Sequence, residues 1–177
     1  MQSIPRLILS CAALAGLAAC GHQATQAPAR AVAELKPTAG NLTSGTVVFE
    51  THGDQVMVTA KVRGLVPNQE HGFHVHEKGD CSAPDATSAG GHFNPTAKPH
   101  GHKSGSGEHH VGDMPNLRAD ANGMANASFH LDKMSIGSGP GDILGRGLIV
   151  HAKPDDYTSQ PVGNAGARLA CAVITKG

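Results

Sequence analysis

Two histidines one residue apart, His74 and His76, lie in the run His71-Gly72-Phe73-His74-Val75-His76. In an extended strand, alternate side chains share a face. Phe73 and Val75 mark one face as core, so His74 and His76 project together from the other, at a separation suited to chelating one ion. The same alternation turns His71 inward, as a hydrogen-bonded core histidine. Further along, His92, His100 and His110 are spread through a long irregular stretch, with Asp113 three residues after the last. His151 ends the apolar run Leu148-Ile149-Val150. Neutral imidazole suits copper and zinc, and a carboxylate can complete a tetrahedral zinc site. Six histidines and an aspartate exceed what one four-coordinate ion needs, so two sites sharing a ligand use them economically.

Such a set must be held by a rigid frame. Thr46–Thr51 is a β-rich run, His52-Gly53-Asp54 a turn, and Gln55–Val62 alternates with Val56, Val58, Ala60 and Val62 on one face. Together they predict a hairpin. Ala31–Lys36, His71–Glu77, Pro115–Ala119, Met124–Leu131, Gly147–His151 and Arg168–Thr175 read as further strands. Asp120-Ala121-Asn122-Gly123 reads as a turn. No segment has a convincing helical period. Eight short strands predict an all-β antiparallel sandwich or barrel. Residues 78–114 interrupt the pattern with Gly, Ser, Pro, Asp and five His. Loops of that length in a compact domain are usually functional or disordered, and a metal clamp is a natural way to order one. Residues 152–167 form a second irregular loop.

The chain has 177 residues, with 14 Lys and Arg against 14 Asp and Glu. A zero formal charge argues against nucleic acid as a partner. Glycine (23) and proline (11) are abundant but fall below the share typical of low-complexity chains. With no Trp, one Tyr and four Phe, aliphatic residues must fill the core.

The N-terminus carries an address. Arg6 precedes an apolar run from Leu7 to Ala19, too short for a bilayer span but suited to a secretory signal. Leu17-Ala18-Ala19-Cys20 resembles a bacterial lipobox. The expectation is a signal peptide over 1–19, lipidation at Cys20, a tether over 20–30 and one domain over 31–177. The membrane partner is then reached through the lipid chains. Gly21 in place of Asp leans toward the outer membrane. With Cys11 removed and Cys20 lipidated, Cys81 and Cys171 remain. Two thiols in an oxidising compartment suggest one disulfide; the other reading is a pair of soft metal ligands, which their lack of CxxC spacing disfavours.

The strings Gly72-Phe73-His74-Val75-His76-Glu77-Lys78-Gly79-Asp80-Cys81, Gly90-Gly91-His92-Phe93-Asn94-Pro95, His110-Val111-Gly112-Asp113 and Gly163-Asn164-Ala165-Gly166-Ala167-Arg168-Leu169-Ala170-Cys171 closely resemble copper/zinc superoxide dismutase. They stand in the family's order, and the resemblance covers about residues 31–175. A Cys directly after Gly-Asp looks like the bacterial periplasmic branch. The resemblance implies an eight-stranded Greek-key barrel with long metal-binding and active-site loops. It implies dismutation of superoxide to dioxygen and hydrogen peroxide, protecting the cell envelope, with copper and zinc as cofactors. Copper would be held by His74, His76, His92 and His151, and zinc by His92, His100, His110 and Asp113, so that His92 bridges. Asp155 would link a copper-ligand His to a zinc-ligand His. Arg168 would stand beside the open copper face, and Cys81–Cys171 would staple the metal loop to the barrel.

Several points stay open in the sequence. His102 and His109 adjoin proposed zinc ligands, and motif position favours His100 and His110 over them. His22, His52 and His130 read as ordinary residues. Lys78, Lys98 and Lys153 are candidates for guiding substrate, since residues 152–167 lack dense guidance charges. Monomer and homodimer are both compatible with the family branch. A metal-storing lipoprotein would use the same histidines, yet would need neither Arg168 in its motif nor a shared ligand. A zinc hydrolase would need an open zinc position and a general base.

Overall fold

The computed structural model describes residues 27–102 and 107–177. The readings at residues 1–26, including Cys20, lie outside the described residues. Strands are β1 (Arg30–Pro37), β2 (Ser44–His52), β3 (Gln55–Arg63), β4 (Glu70–His71), β5 (Phe73–His76), β6 (Leu117–Arg118), β7 (Ala125–Leu131), β8 (Gly147–His151), β9 (Arg168–Val173) and β10 (Thr175–Lys176). The only helix among the described residues is a 3-10 turn, Thr87–Ala89. Eight strands form one antiparallel sheet in the order β5-β8-β9-β1-β2-β3-β7, with β10 also on β1, and β4 pairs with β6. The sheet curls into an all-β barrel, one of the two forms that the strand pattern predicts and consistent with the Greek-key barrel that the resemblance implies.

The alternation in β3 sets the pattern. Val56, Val58, Ala60 and Val62 are buried, and they meet Val47 and Phe49 of β2, Ala125 and Leu131 of β7 and Ala31, Ala33 and Leu35 of β1. This aliphatic core drives folding by removing apolar area from water. Phe73, Val75, Leu148 and Val150 extend it to the side of the barrel that carries His74, His76 and His151.

Two expected strands are each broken in two. The segment 71–77 changes partner at Gly72. His71 pairs with Leu117 of β6, whereas Phe73 onward pairs with β8. Gly72 itself donates to the Lys153 carbonyl and accepts from His151 N–H, joining the second loop. A Cβ at Gly72 would lie 2.7 Å from that of Ala165, so glycine permits the close approach. At the C-terminus Ile174, fully buried, leaves the ladder to bond Arg146 and Gly145, separating β9 from β10. The strand expected over 115–119 shrinks to Leu117–Arg118, because its neighbours are tied to loops instead.

Candidate metal centre

The outer edge of β5, opposite β8, receives the long loop. Val75 N–H donates to Gly112, Phe93 N–H to Val75 and Glu77 N–H to Gly91. Single bridges join His74 to Asp113 and His76 to His92. The loop therefore lies along the strand as an added edge, and its backbone pairing brings its ligands to those of β5. The disulfide Cys81–Cys171, with Cα atoms 5.8 Å apart, fixes its beginning to β9. In the chain-entropy view, a 90-residue separation makes this cross-link worth roughly 4–5 kcal/mol. The disulfide excludes the alternative of thiolate metal ligands at these two positions. His74 and His76 face away from the core as expected, yet the loop roofs them and both are buried.

His151 reaches the same place by another device. The β8–β9 register shifts between Val150 and His151, so that His151 stands opposite Arg168. Bulges re-aim side chains in this way beside functional sites.

These elements gather two groups of ligand atoms, in each of which the atoms lie within 4.8 Å of one another: His74, His76, His92 and His151, and His92, His100, His110 and Asp113. His92 is in both. All seven side chains are buried. In the first group each ring is tied down by one nitrogen. His74 Nε2 bonds Asp155 Oδ2 at 2.7 Å, His76 Nδ1–H donates to Gly90 at 2.9 Å, and His151 Nδ1–H donates to Gly166 at 3.2 Å. His76 Nε2 and His151 Nε2 face each other at 3.3 Å. His74 Nδ1 and His92 Nε2 are buried with no hydrogen-bond partner. Buried polar atoms are rarely left so, and converging lone pairs without protons between them fit a metal ion.

The second group is centred on one carboxylate oxygen. Asp113 Oδ1 lies 2.8 Å from His92 Nδ1, 3.1 Å from His100 Nδ1 and 3.2 Å from His110 Nδ1. The approach of His100 Nδ1 is not aligned as a hydrogen bond. Asp113 Oδ2 is held by the N–H groups of Gly101 and His110, leaving Oδ1 for the cluster. Three imidazoles and a carboxylate match the closed tetrahedral donor set of zinc.

Asp155 connects the two groups. Its Oδ1 bonds His100 Nε2 at 2.9 Å while its Oδ2 holds His74, and Tyr157 N–H adds a third contact. Outer carboxylates of this kind set ring orientation and tautomer. The charge pattern follows burial and neighbours. Burial, with neighbouring histidines, keeps His76 and His151 well below the ordinary histidine value. Burial also lowers His92 to about 4, against the pull of Asp113. At His100 burial acts downward, but Asp113 and Asp155 outweigh it and raise the ring to about 9. Burial opposes ionisation of both carboxylates, yet His100, His110 and His92 hold Asp113, and His100 and His74 hold Asp155, far below the carboxylate range.

Arg168 does not pair with Asp155 or Asp156. Its Nη1 donates to Ala86 and its Nη2 to Gly90, both at 2.6 Å. Gly90 is also the acceptor for His76, so one carbonyl locates both the cation and a ring of the four-histidine group. The guanidinium is half-buried at a depression of about 410 Å³ whose walls include Thr38, Asp85, Thr87 and Gly166.

Four contributors have no signature in the sequence reading: Asn116, Tyr157, Gln160 and Gly163. The Asn116 side chain accepts from Asp155 N–H and donates to the Asp155 carbonyl, and its own N–H donates to the Tyr157 hydroxyl. Gln160 treats His100 likewise. Gly163, at φ +65°, passes where a Cβ would strike the Asp155 carboxylate. Isolated amides in loops carry no spacing signature, though Gly163 lies inside a quoted motif. Of the histidines left open, His109 Nδ1–H donates to the His110 carbonyl, and His102 packs edge-on to Tyr157 at 4.1 Å. Neither enters the two groups. His71 is the core histidine expected, donating from Nδ1 to the His151 carbonyl. Lys98 is neutralised locally by Glu108.

An all-β barrel whose loops close over two ligand groups with one imidazole in common defines a binuclear metalloprotein. Residues 43–174 match the family described as copper/zinc superoxide dismutase (SODC). The chain belongs to that family. It is 40% identical over 149 residues to superoxide dismutase [Cu-Zn] 2 of Aquifex aeolicus, covering 82% of this chain and 86% of that protein. It is 42% identical over 153 residues to superoxide dismutase [Cu-Zn] of Saccharomyces cerevisiae, covering 82% and 96%. The solved structure titled as the clock protein EA4 aligns with a TM-score of 0.76 at 39% identity, over 88% of this chain and 99% of that one. The activity is dismutation of superoxide, and the cofactors are copper and zinc.

Proposed function

We propose that His74, His76, His92 and His151 hold copper, that His92, His100, His110 and Asp113 hold zinc, and that Arg168 receives the anionic substrate. The carrying observation is His92: Nδ1 faces Asp113 at 2.8 Å while Nε2 is buried without a partner toward the all-imidazole group. The carboxylate-containing group suits zinc, and the four-imidazole group suits copper. Bound there, copper supplies one-electron redox chemistry and zinc a fixed positive charge.

The chain's own residues do the rest. Asp155 fixes His74 and His100 through their outer nitrogens. His92 Nε2 is a site where a proton can be held and released toward the reduced product, which needs protons to leave as hydrogen peroxide. Arg168 offers a permanent cation whose direction is set by two carbonyls, and a cation recessed between low-dielectric walls concentrates a small anion. The test is His92→Ala in protein loaded with both metals. The copper spectrum should cease to respond to zinc; a copper spectrum still sensitive to zinc in that variant removes His92 from the bridge.

We propose further that the protein is the periplasmic lipoprotein type and guards the cell envelope. The lipobox at Leu17–Cys20 supports anchoring at Cys20 after removal of residues 1–19, with the outer membrane as destination. A disulfide between Cys81 and Cys171 supports an oxidising compartment. Cys20→Ser should abolish acyl labelling and release active enzyme; lipid retained in that variant moves the anchor elsewhere.

A further inference from the structure

Outside the active site, two histidines from different strands meet on the outer face of the barrel. Val47, Phe49, Val56, Val58 and Leu131 fix the inward side of β2, β3 and β7. By alternation His52, Met57 and His130 project from the other side. Met57 lies between them on β3, with His130 as its direct cross-strand partner and Gln55 pairing with His52. His52 is exposed and His130 half-buried.

His52 Nδ1 lies 3.1 Å from His130 Nε2, with ring centroids 5.2 Å apart and planes at 30°. The same relation occurs within the copper group. His76 Nε2 and His151 Nε2 are 3.3 Å apart, with centroids 5.5 Å apart and planes at 28°. Two nitrogens bound to one ion at about 2.0–2.1 Å stand roughly 2.9–3.4 Å apart at square or tetrahedral angles. Both pairs fall in that range.

We propose that His52 and His130 form a third metal site, which takes a divalent first-row transition ion and favours Cu(II). The two imidazoles supply the protein ligands, and water fills the remaining positions. Among the described residues no carboxylate has an oxygen within 4.8 Å of ligand nitrogens of both rings, and Glu50, two residues before His52, is engaged with Arg30 at 3.4 Å, so the site is built from nitrogen donors. Among divalent ions such a site ranks Cu(II) above Zn(II). An ion with half its coordination shell in solvent exchanges readily. No element carrying this pair contributes a ligand to the binuclear centre, so the two can be read apart.

The experiment uses the full chain loaded with its copper and zinc, titrated with Cu(II) alone and followed by equilibrium dialysis and electron paramagnetic resonance. The wild type should take up one further Cu(II) per chain, with a second, distinct copper signal. His52→Gln and His130→Gln should each weaken that uptake at least about tenfold, leaving the original copper signal and the dismutation rate unchanged. Both positions lie on the outer face, away from the aliphatic core, and the unchanged rate verifies folding. No extra Cu(II) in the wild type would show a hydrogen-bonded pair only and overturn the proposal. Extra Cu(II) held equally well by both variants would overturn it too, placing the ion elsewhere, such as at His102 and His109.

Discussion

Gln160 pairs with the backbone of His100 along both edges of its side-chain amide. His100 N–H donates to Oε1 at 2.8 Å, and Nε2–H donates to the His100 carbonyl at 2.9 Å. The pairing imitates a strand partner where no strand exists, fixing the backbone from which the His100 ring reaches Asp113 and Asp155. Gln160→Ala should weaken zinc binding about tenfold, the scale of outer-contact losses in metal sites, with copper content retained. Competition with a chromophoric chelator measures it, and an unchanged zinc affinity would show the pairing to be incidental.

Gly163 should tolerate no side chain. Its φ of +65° costs an L-residue about 1–2 kcal/mol, and its added Cβ would also meet Asp155 and lie 2.6 Å from His100 Nε2. Gly163→Ala is expected to lower the melting temperature and to impair zinc more than copper, because the displaced carboxylate is the link to His100. Thermal denaturation with and without zinc separates the two effects. Equal destabilisation of both forms would leave only the backbone cost.

Zinc uptake by metal-free protein should be proton-linked through His100. With its value raised to about 9, that ring is protonated at neutral pH, whereas zinc requires it neutral. Zinc affinity therefore increases as pH rises toward about 9, and binding near pH 7 releases about one proton from this ring. In the metal-free protein the sign for folding is opposite: the raised value stabilises below the unfolded histidine range and is lost as pH rises through about 9. His76 and His151, lowered by burial, are already neutral there and release nothing. Calorimetry in buffers of different ionisation enthalpy counts the protons. Zinc uptake with no proton release at pH 7 would contradict the assignment.

Asp85 stands on the wall of the depression at Arg168, and the two charges act on each other. A carboxylate there opposes an incoming anion. Asp85→Asn should raise the second-order rate about two- to threefold at low salt, with the gain fading once screening contracts to about 8 Å. Arg168→Glu should lower the rate by about tenfold or more, equivalent to about 1.4 kcal/mol, at unchanged metal content. Arg168→Lys keeps the charge but loses the planar fork that spans Ala86 and Gly90, so it should fall between. Rates for Arg168→Glu equal to wild type at low salt would exclude the steering role.

The barrel was legible because alternation at Val56–Val62 and at Phe73–His76 encodes which face is core. Most of the residues that the structure gathers were legible because His74, His76, His92, His110 and Asp113 stand in recognisable strings. What alternation cannot express is a change of partner, so the breaks at Gly72 and Ile174 were not foreseen. Burial of His74 and His76 was likewise hidden, since the roof over them comes from a loop docked by backbone bonds. Asn116 and Gln160 act through amides on distant backbone, a relation with no local pattern. His52 and His130 read as unremarkable one at a time; only the β2-β3-β7 register brings them together.

The docking of the loop along β5 has a consequence for self-association. A strand edge with unpaired N–H and C=O groups is a template for another chain. Here Val75 bonds Gly112 and Phe93 on that edge, and Glu77 bonds Gly91. The segment that carries His92, His100, His110 and Asp113 is thus also the cover that prevents β5 from recruiting a strand from a second molecule. Removing the ions and reducing Cys81–Cys171 together would free that cover, turning a loss of cofactors into an exposed edge and a route to aggregation.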